Sequence, residues 1–95
     1  MTAVQFNEEI HAPVRLRICA SLSQVESMEF AALRLTLGVA DSVLSKHLSR
    51  LEKTGVVALD KAKAAGHQRT WVRLTSQGRR DYAAHIAALR QIAGL

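Results

Sequence analysis

Ser42, Lys46 and Arg50 follow one another at intervals of four residues. On a helix that interval sets a hydroxyl, an ammonium and a guanidinium in one row, donors of which two are cations. Such a row suits phosphate oxygens and the acceptor atoms on base edges in a duplex major groove, about 12 Å wide. If Leu44, Leu48 and Leu51 turn inward, the outward surface carries Ser42, Val43, Lys46, Ser49, Arg50 and Lys53, with no bulky obstruction. The N-terminal part, Asp41, Ser42, Val43, Ser45 and Lys46, is then expected near base edges, while Ser45, Ser49 and Arg50 are placed to hold phosphates. An ordinary amphipathic surface helix has the same pattern, so the surrounding sequence has to discriminate.

Charge is distributed unevenly along the 95 residues, whose net charge is +5. Residues 1–30 hold two basic and four acidic side chains, and residues 31–95 hold eleven basic and four acidic ones. Lys61, Lys63, Arg69, Arg73, Arg79 and Arg80 follow one another with no acid between them. That run is either a footprint for a polyanion or a solvated face. Aromatic residues make up only 4% of the chain, too few for the stacking platforms of single-strand or RNA binders.

Other chemistry finds little support. The chain has no phosphate-binding glycine loop, no plausible carboxylate pair and no nucleophile elbow, so an enzyme is not expected. Cys19 is the single cysteine, which rules out an internal disulfide; it stands beside an apolar stripe and reads as structural. Asp81 and His85 stand four apart, half of a zinc site, but further ligands are missing; both are expected in solvent, with no metal and no cofactor. Met1–Ile10, with Glu8 and Glu9, lacks the apolar run of a signal peptide. No stretch approaches the roughly 20 apolar residues of a membrane span. A cytoplasmic protein without membrane contact is the expectation.

The elements that must position the row can be read from periodicity. A first helix begins at Pro13, after His11, and carries Val14, Ile18 and Leu22 as one stripe. Ser23–Glu26 is a polar break with a very short strand around Val25. Ser27 is expected to cap a second helix with Phe30, Leu33 and Leu37 buried, which Gly38 ends. Asp41 or Ser42 is expected to cap a third helix, running to Thr54, with His47 as a hydrogen-bonding residue at the core edge. The period then becomes two: Val57 and Leu59, then Thr70, Val72 and Leu74, make a hairpin around Gly66. Thr75 caps a terminal helix with Tyr82, Ile86, Leu89 and Ala93 as its stripe. Helices two and three are joined by too short a turn for antiparallel packing and must cross steeply, as in a helix-turn-helix.

Residues Ile10–Ile18, Met28–Leu33, Leu44–Val57 and Arg69–Arg79 carry a family resemblance that extends from about Ile10 to Leu89. The chain resembles the winged helix-turn-helix transcriptional regulators of the MarR/ArsR-like superfamily, and within it a small stand-alone group. The implied fold is mainly α with a small β-hairpin, a winged helix-turn-helix plus a C-terminal dimerisation helix. It would be one domain over 1–95, with the helix-turn-helix at 27–54, the wing at 56–74 and the terminal helix at 75–95. One departure is Arg34, where such proteins usually place a small residue; its stem must snorkel outward.

The resemblance implies a recognition helix at 41–54 and a wing at 60–70 on the flanking minor groove or backbone. Lys61, Lys63, His67 and Arg69 suit that wing chemically, with Arg69 expected in the minor groove. It also implies terminal helices paired about a twofold axis, through Tyr82, Ile86, Leu89 and Ala93, with Phe6 and Trp71 and with Val4 and Ile10 beside them. The expected function is a sequence-specific double-stranded DNA-binding transcriptional regulator, a homodimeric repressor. The competing reading is a winged helix protein-interaction module without direct DNA reading. A third admits a small-molecule effector at the dimer interface, which no residue here identifies.

Overall fold

Leucines three and four apart draw one side of the 41–53 segment into the interior, and the other elements close around them. The computed structural model describes residues 5–95, apart from the side chain of Ala64. Its elements run α1 (Glu8–His11), α2 (Pro13–Leu22), β1 (Met28–Glu29), α3 (Phe30–Leu37), α4 (Asp41–Lys53), β2 (Val57–Ala64), β3 (His67–Leu74) and α5 (Ser76–Ala93). The expected class, mainly helical with a small antiparallel hairpin and a C-terminal helix, is what the chain adopts.

The hairpin gains a third strand, in the order β1-β3-β2. Met28 pairs with Val72 and Glu29 with Trp71. The short strand therefore lies three residues beyond the Val25 position expected from the sequence, because the register of β3 defines it and Val25 stays 39% exposed. The same pairing keeps Met28 and Glu29 extended, so α3 starts at Phe30 with Glu29 at its N-cap and not at Ser27.

Gly38 ends α3 with φ +66, its N–H donating to the Arg34 carbonyl at 2.9 Å, a left-handed cap that glycine adopts without a Cβ penalty. Ala40, with no side-chain bond, takes the N-cap of α4 that Asp41 or Ser42 was expected to fill. Asp41 instead meets Arg34 at 2.8 Å across the turn. This pair explains how a long side chain is accommodated at the crossing: its head reaches outward to an anion.

Ile10, Ile18, Cys19, Leu22, Leu33, Leu37, Leu44, Leu48, Leu51, Val56, Val57, Val72 and Leu74 form one buried cluster. Burial pushes the Cys19 thiol up to about 12, so it stays protonated and structural. One expectation for a dimer surface changes here. Ile10 is completely buried, because α1 packs against α2 and α5; Val4 lies outside the described residues. On α5 the buried line is Gly78, His85 and Ala88, with Tyr82 packed on the core, Ile86 and Leu89 half-buried and Ala93 exposed. The rotation is set at the start of α5. There the Thr75 hydroxyl donates to the Gly55 carbonyl at 2.6 Å and accepts from the Gly78 N–H at 2.9 Å.

His85 is fully buried rather than solvated, and its neighbours specify its protonation. The Asn7 backbone N–H donates to its Nδ1 at 2.9 Å, and its Nε2 lies 3.2 Å from Nδ1 of His11. A backbone N–H can only donate, so Nδ1 is the acceptor and the neutral ring carries its proton on Nε2. Phe6 closes the cluster, tilted against His11 and edge-on to His85, with ring centroids 4.7 Å from each. Burial, then the neighbouring His11, holds the His85 pKa below the ordinary 6.5. The unfolded chain therefore takes up a proton near pH 6.5 that the folded chain refuses. Stability from this site is complete above that pH and is lost as pH falls below it. Urea unfolding should show a lower midpoint at pH 5.5 than at pH 8, by a margin that shrinks in His85→Gln; equal midpoints for the unaltered protein would exclude this account.

Candidate nucleic-acid interface

With Leu44, Leu48 and Leu51 buried, α4 exposes Asp41, Ser42, Val43, Ser45, Lys46, Ser49, Arg50 and Lys53. The expected face is thus presented to solvent. Its cations differ in availability: among the described residues Lys46 and Lys53 have no ion pair, whereas Arg50 is engaged. Its Nε and Nη2 donate to the two carboxylate oxygens of Glu9 at 2.7 and 3.0 Å, a bidentate fork. The hydrogen bond from Arg50 holds the Glu9 carboxyl below the usual range, and Glu9 in turn raises Arg50.

Arg15 links the same region to the interior. It is buried, its Nε donates to the Glu9 carbonyl and its Nη1 to Nδ1 of His47, the latter at 3.1 Å. Burial first, then the charges of Arg15, Lys46 and Arg50, keeps His47 below its ordinary pKa and so neutral. Sequence reading missed Glu9 and Arg15 as parts of this site. Arg15 was detectable: it stands four and seven residues before Cys19 and Leu22, on the buried side of α2. Nothing local marks Glu9 as the anion that pairs with Arg50.

The wing strands sort their side chains by face. Thr70, Val72 and Leu74 point with Leu59 and Val57 toward the helices, and Lys61, paired with Thr70, continues that face beyond the core. Ser45, Ser49, Lys61 and Thr70 line a cleft of about 250 Å³ between α4 and the hairpin, floored by Phe30, Leu48 and Leu59. Arg69, Trp71 and Arg73 occupy the opposite face. Arg69, expected on a minor groove, holds Glu29 at 3.0 Å, and Arg73 holds Asp60 at 3.0 Å. Arg79 donates to the Val25 carbonyl at 2.9 Å. Half of the basic run is thus bound within the molecule, leaving Lys61, Lys63 and Arg80 without an ion pair among the described residues. Lys63 and His67 are exposed beside the hairpin tip, and Trp71 is 38% exposed.

The model of a family described as the winged helix DNA-binding domain matches residues 14–93. The chain belongs to this family. An uncharacterised protein of Methanocaldococcus jannaschii is 33% identical over 79 residues, 83% of this chain and 86% of that protein. The solved transcriptional regulator homologue from Pyrococcus horikoshii superposes with a TM-score of 0.87 at 25% identity, over 93% of this chain and 87% of that one. NadR, solved in complex with 4-hydroxyphenylacetate, superposes with a TM-score of 0.73 at 24% identity, over 93% of this chain and 62% of its own, a likeness of fold alone. In winged helix terms α3 and α4 are the helix-turn-helix and β2–β3 the wing. The family is that of a DNA-binding domain, and the fold is shared with a transcriptional regulator homologue. Among the described residues, no helix is long and apolar enough to cross a membrane, and no three His, Cys, Asp or Glu side chains are grouped to hold a metal.

Proposed function

We propose that the protein is a cytoplasmic, homodimeric transcriptional repressor of the MarR/ArsR-like type that reads double-stranded DNA in sequence-specific fashion. One observation carries the reading: Ser42, Lys46 and Ser49 are exposed together on α4 while Leu44, Leu48 and Leu51 beneath them are buried. In this reading α4 enters the major groove and one sugar-phosphate strand runs along the cleft, where three hydroxyls and Lys61 offer donors. Asp41, Val43 and Ser45 lie nearest the base edges, and Lys63 and His67 follow the flanking backbone.

The outward side of α5 supports pairing. Tyr82, Ala83, Ile86, Ala87 and Arg90 line a shallow, mainly apolar groove; Ile92, 67% exposed, lies on another side of the helix, one turn beyond Ala88. A twofold axis through such a helix sets two α4 helices about 34 Å apart, one turn of duplex. The NadR complex makes aromatic acids the first effectors to add to a binding assay.

Selection from random duplexes is expected to return a short imperfect palindrome. On that duplex, Lys46→Ala and Lys61→Ala should each reduce the slope of log affinity against log salt by about 1, uniformly weakening phosphate attraction. Arg69→Ala should leave the slope unchanged, since its guanidinium faces Glu29 on the far side of the sheet. Absence of duplex binding at low salt by the unaltered protein would end this reading.

A further inference from the structure

Glu9 has no part in the DNA-reading face as the sequence presents it, yet its carboxylate sits on that face. It takes the Nε and Nη2 hydrogens of Arg50, the same paired donors that a guanidinium offers to a phosphate or to a guanine edge. The arrangement is built into the fold. Three anchors fix α1: the fully buried Ile10, the Asn7 N–H on His85, and Arg15 on the Glu9 carbonyl. The Asn7 side chain also caps α1 by accepting from the Ile10 N–H at 3.1 Å. The carboxylate therefore arrives at Arg50 with its backbone already placed.

We propose that Glu9 is an affinity-setting residue of the DNA interface, an internal carboxylate that occupies Arg50 in place of a DNA phosphate. This inference rests on the DNA-binding reading above. A paired Arg50 is electrically neutral toward the duplex and displaces no counterion from it, so it adds nothing to the salt dependence. The pair is also open to competition, since the side chain of Arg50 is 59% exposed and that of Glu9 35%. A phosphate gains Arg50 only by expelling Glu9, whose released charge then faces the DNA. Glu9 thereby restrains binding and makes Arg50 a contact reserved for duplexes whose backbone lies close enough to outbid it.

The decisive comparison is Glu9→Gln against Glu8→Gln, measured as duplex affinity over a salt series with the full chain. Both variants change the net charge equally, but only the first releases Arg50; Glu8 is exposed on the same short helix, with no ion pair among the described residues. Glu9→Gln is expected to tighten binding about five- to tenfold at low salt and to steepen the log–log slope by about 1, the value for one added phosphate contact. Glu8→Gln should leave the slope alone, and adding Arg50→Ala to Glu9→Gln should abolish the steepening. Glu9→Asp, one methylene short of the guanidinium, gives an independent route with the same direction and a smaller effect should the amide disturb folding. An unchanged slope, weaker binding, or equal behaviour of the two glutamine variants overturns the proposal while leaving the DNA-binding reading intact. No binding by the unaltered protein overturns both.

Discussion

Gly78→Ala is expected to lower the melting temperature by roughly 12 °C or more, although alanine is the better helix former. On propensity alone the change should stabilise α5 by about 1 kcal/mol. Space decides otherwise. A Cβ at Gly78 would lie 2.0 Å from the Val56 carbonyl oxygen, 2.9 Å from its carbon and 3.2 Å from Cδ2 of Leu74. The first two are backbone atoms at the start of the wing, and the Val56 carbonyl is itself fixed by the Thr75 N–H at 3.1 Å. Relief requires α5 to move away from the sheet, opening the contacts of Tyr82, His85 and Ala88 behind it. Overpacking against flexible side chains costs about 1–3 kcal/mol, and a backbone obstacle belongs at or above the top of that range. For a chain of this size each kcal/mol is worth about 4–8 °C. Thermal unfolding followed by circular dichroism checks the sign; a melting temperature at or above that of the unaltered protein would refute the steric account.

Leu48→Ala should cost about 2–5 kcal/mol, a large part of the 5–15 kcal/mol typical of a folded domain. Leu48 is 1% exposed, centred between Leu44 and Leu51, and it also floors the cleft beneath Ser45 and Ser49. Truncation removes packing on both sides of the helix-turn-helix crossing at once. Urea unfolding should show the loss, with Leu48→Met below about 1.5 kcal/mol because volume is retained. Ser49→Ala, one residue away on the exposed face, should change stability by no more than about 0.5 kcal/mol. If Leu48→Ala proves as mild as Ser49→Ala, the inward stripe does not anchor α4. Well below the lowered unfolding midpoint, duplex affinity of Leu48→Ala should remain, because the exposed side chains of α4 are untouched.

Legibility followed sequence distance. The stripe at Leu44, Leu48 and Leu51 is local, so its period of 3.6 was visible and the exposed face of α4 followed by geometry. The hairpin was readable for the same reason, since its two strands alternate with period two. The bidentate pair joins residues 41 apart, and Asn7 meets His85 across 78; no periodicity encodes such contacts. A helix as short as α1 carries no pattern of its own and exists because Ile10 finds the core. His85 stands beside a visible apolar stripe on α5 and was misplaced in solvent, because its burial depends on polar partners supplied by the N-terminal segment. Arg69 was assigned correctly to the hairpin. Its face followed from the alternation already visible in β3, but its partner is an acid in β1, 40 residues away, which no local pattern marks.

Met28 and Glu29 pair with Val72 and Trp71, which fastens the root of the hairpin to the very residue from which α3 departs. The two projections that flank the cleft are therefore jaws of one casting and not a finger hinged to a palm. Their separation is set by the fold, so in the DNA-binding reading proposed above a sugar-phosphate strand lying along the cleft would meet a fixed spacing. In that reading, duplexes whose backbone already has that spacing would be favoured without a base contact, and stiff duplexes of another spacing disfavoured.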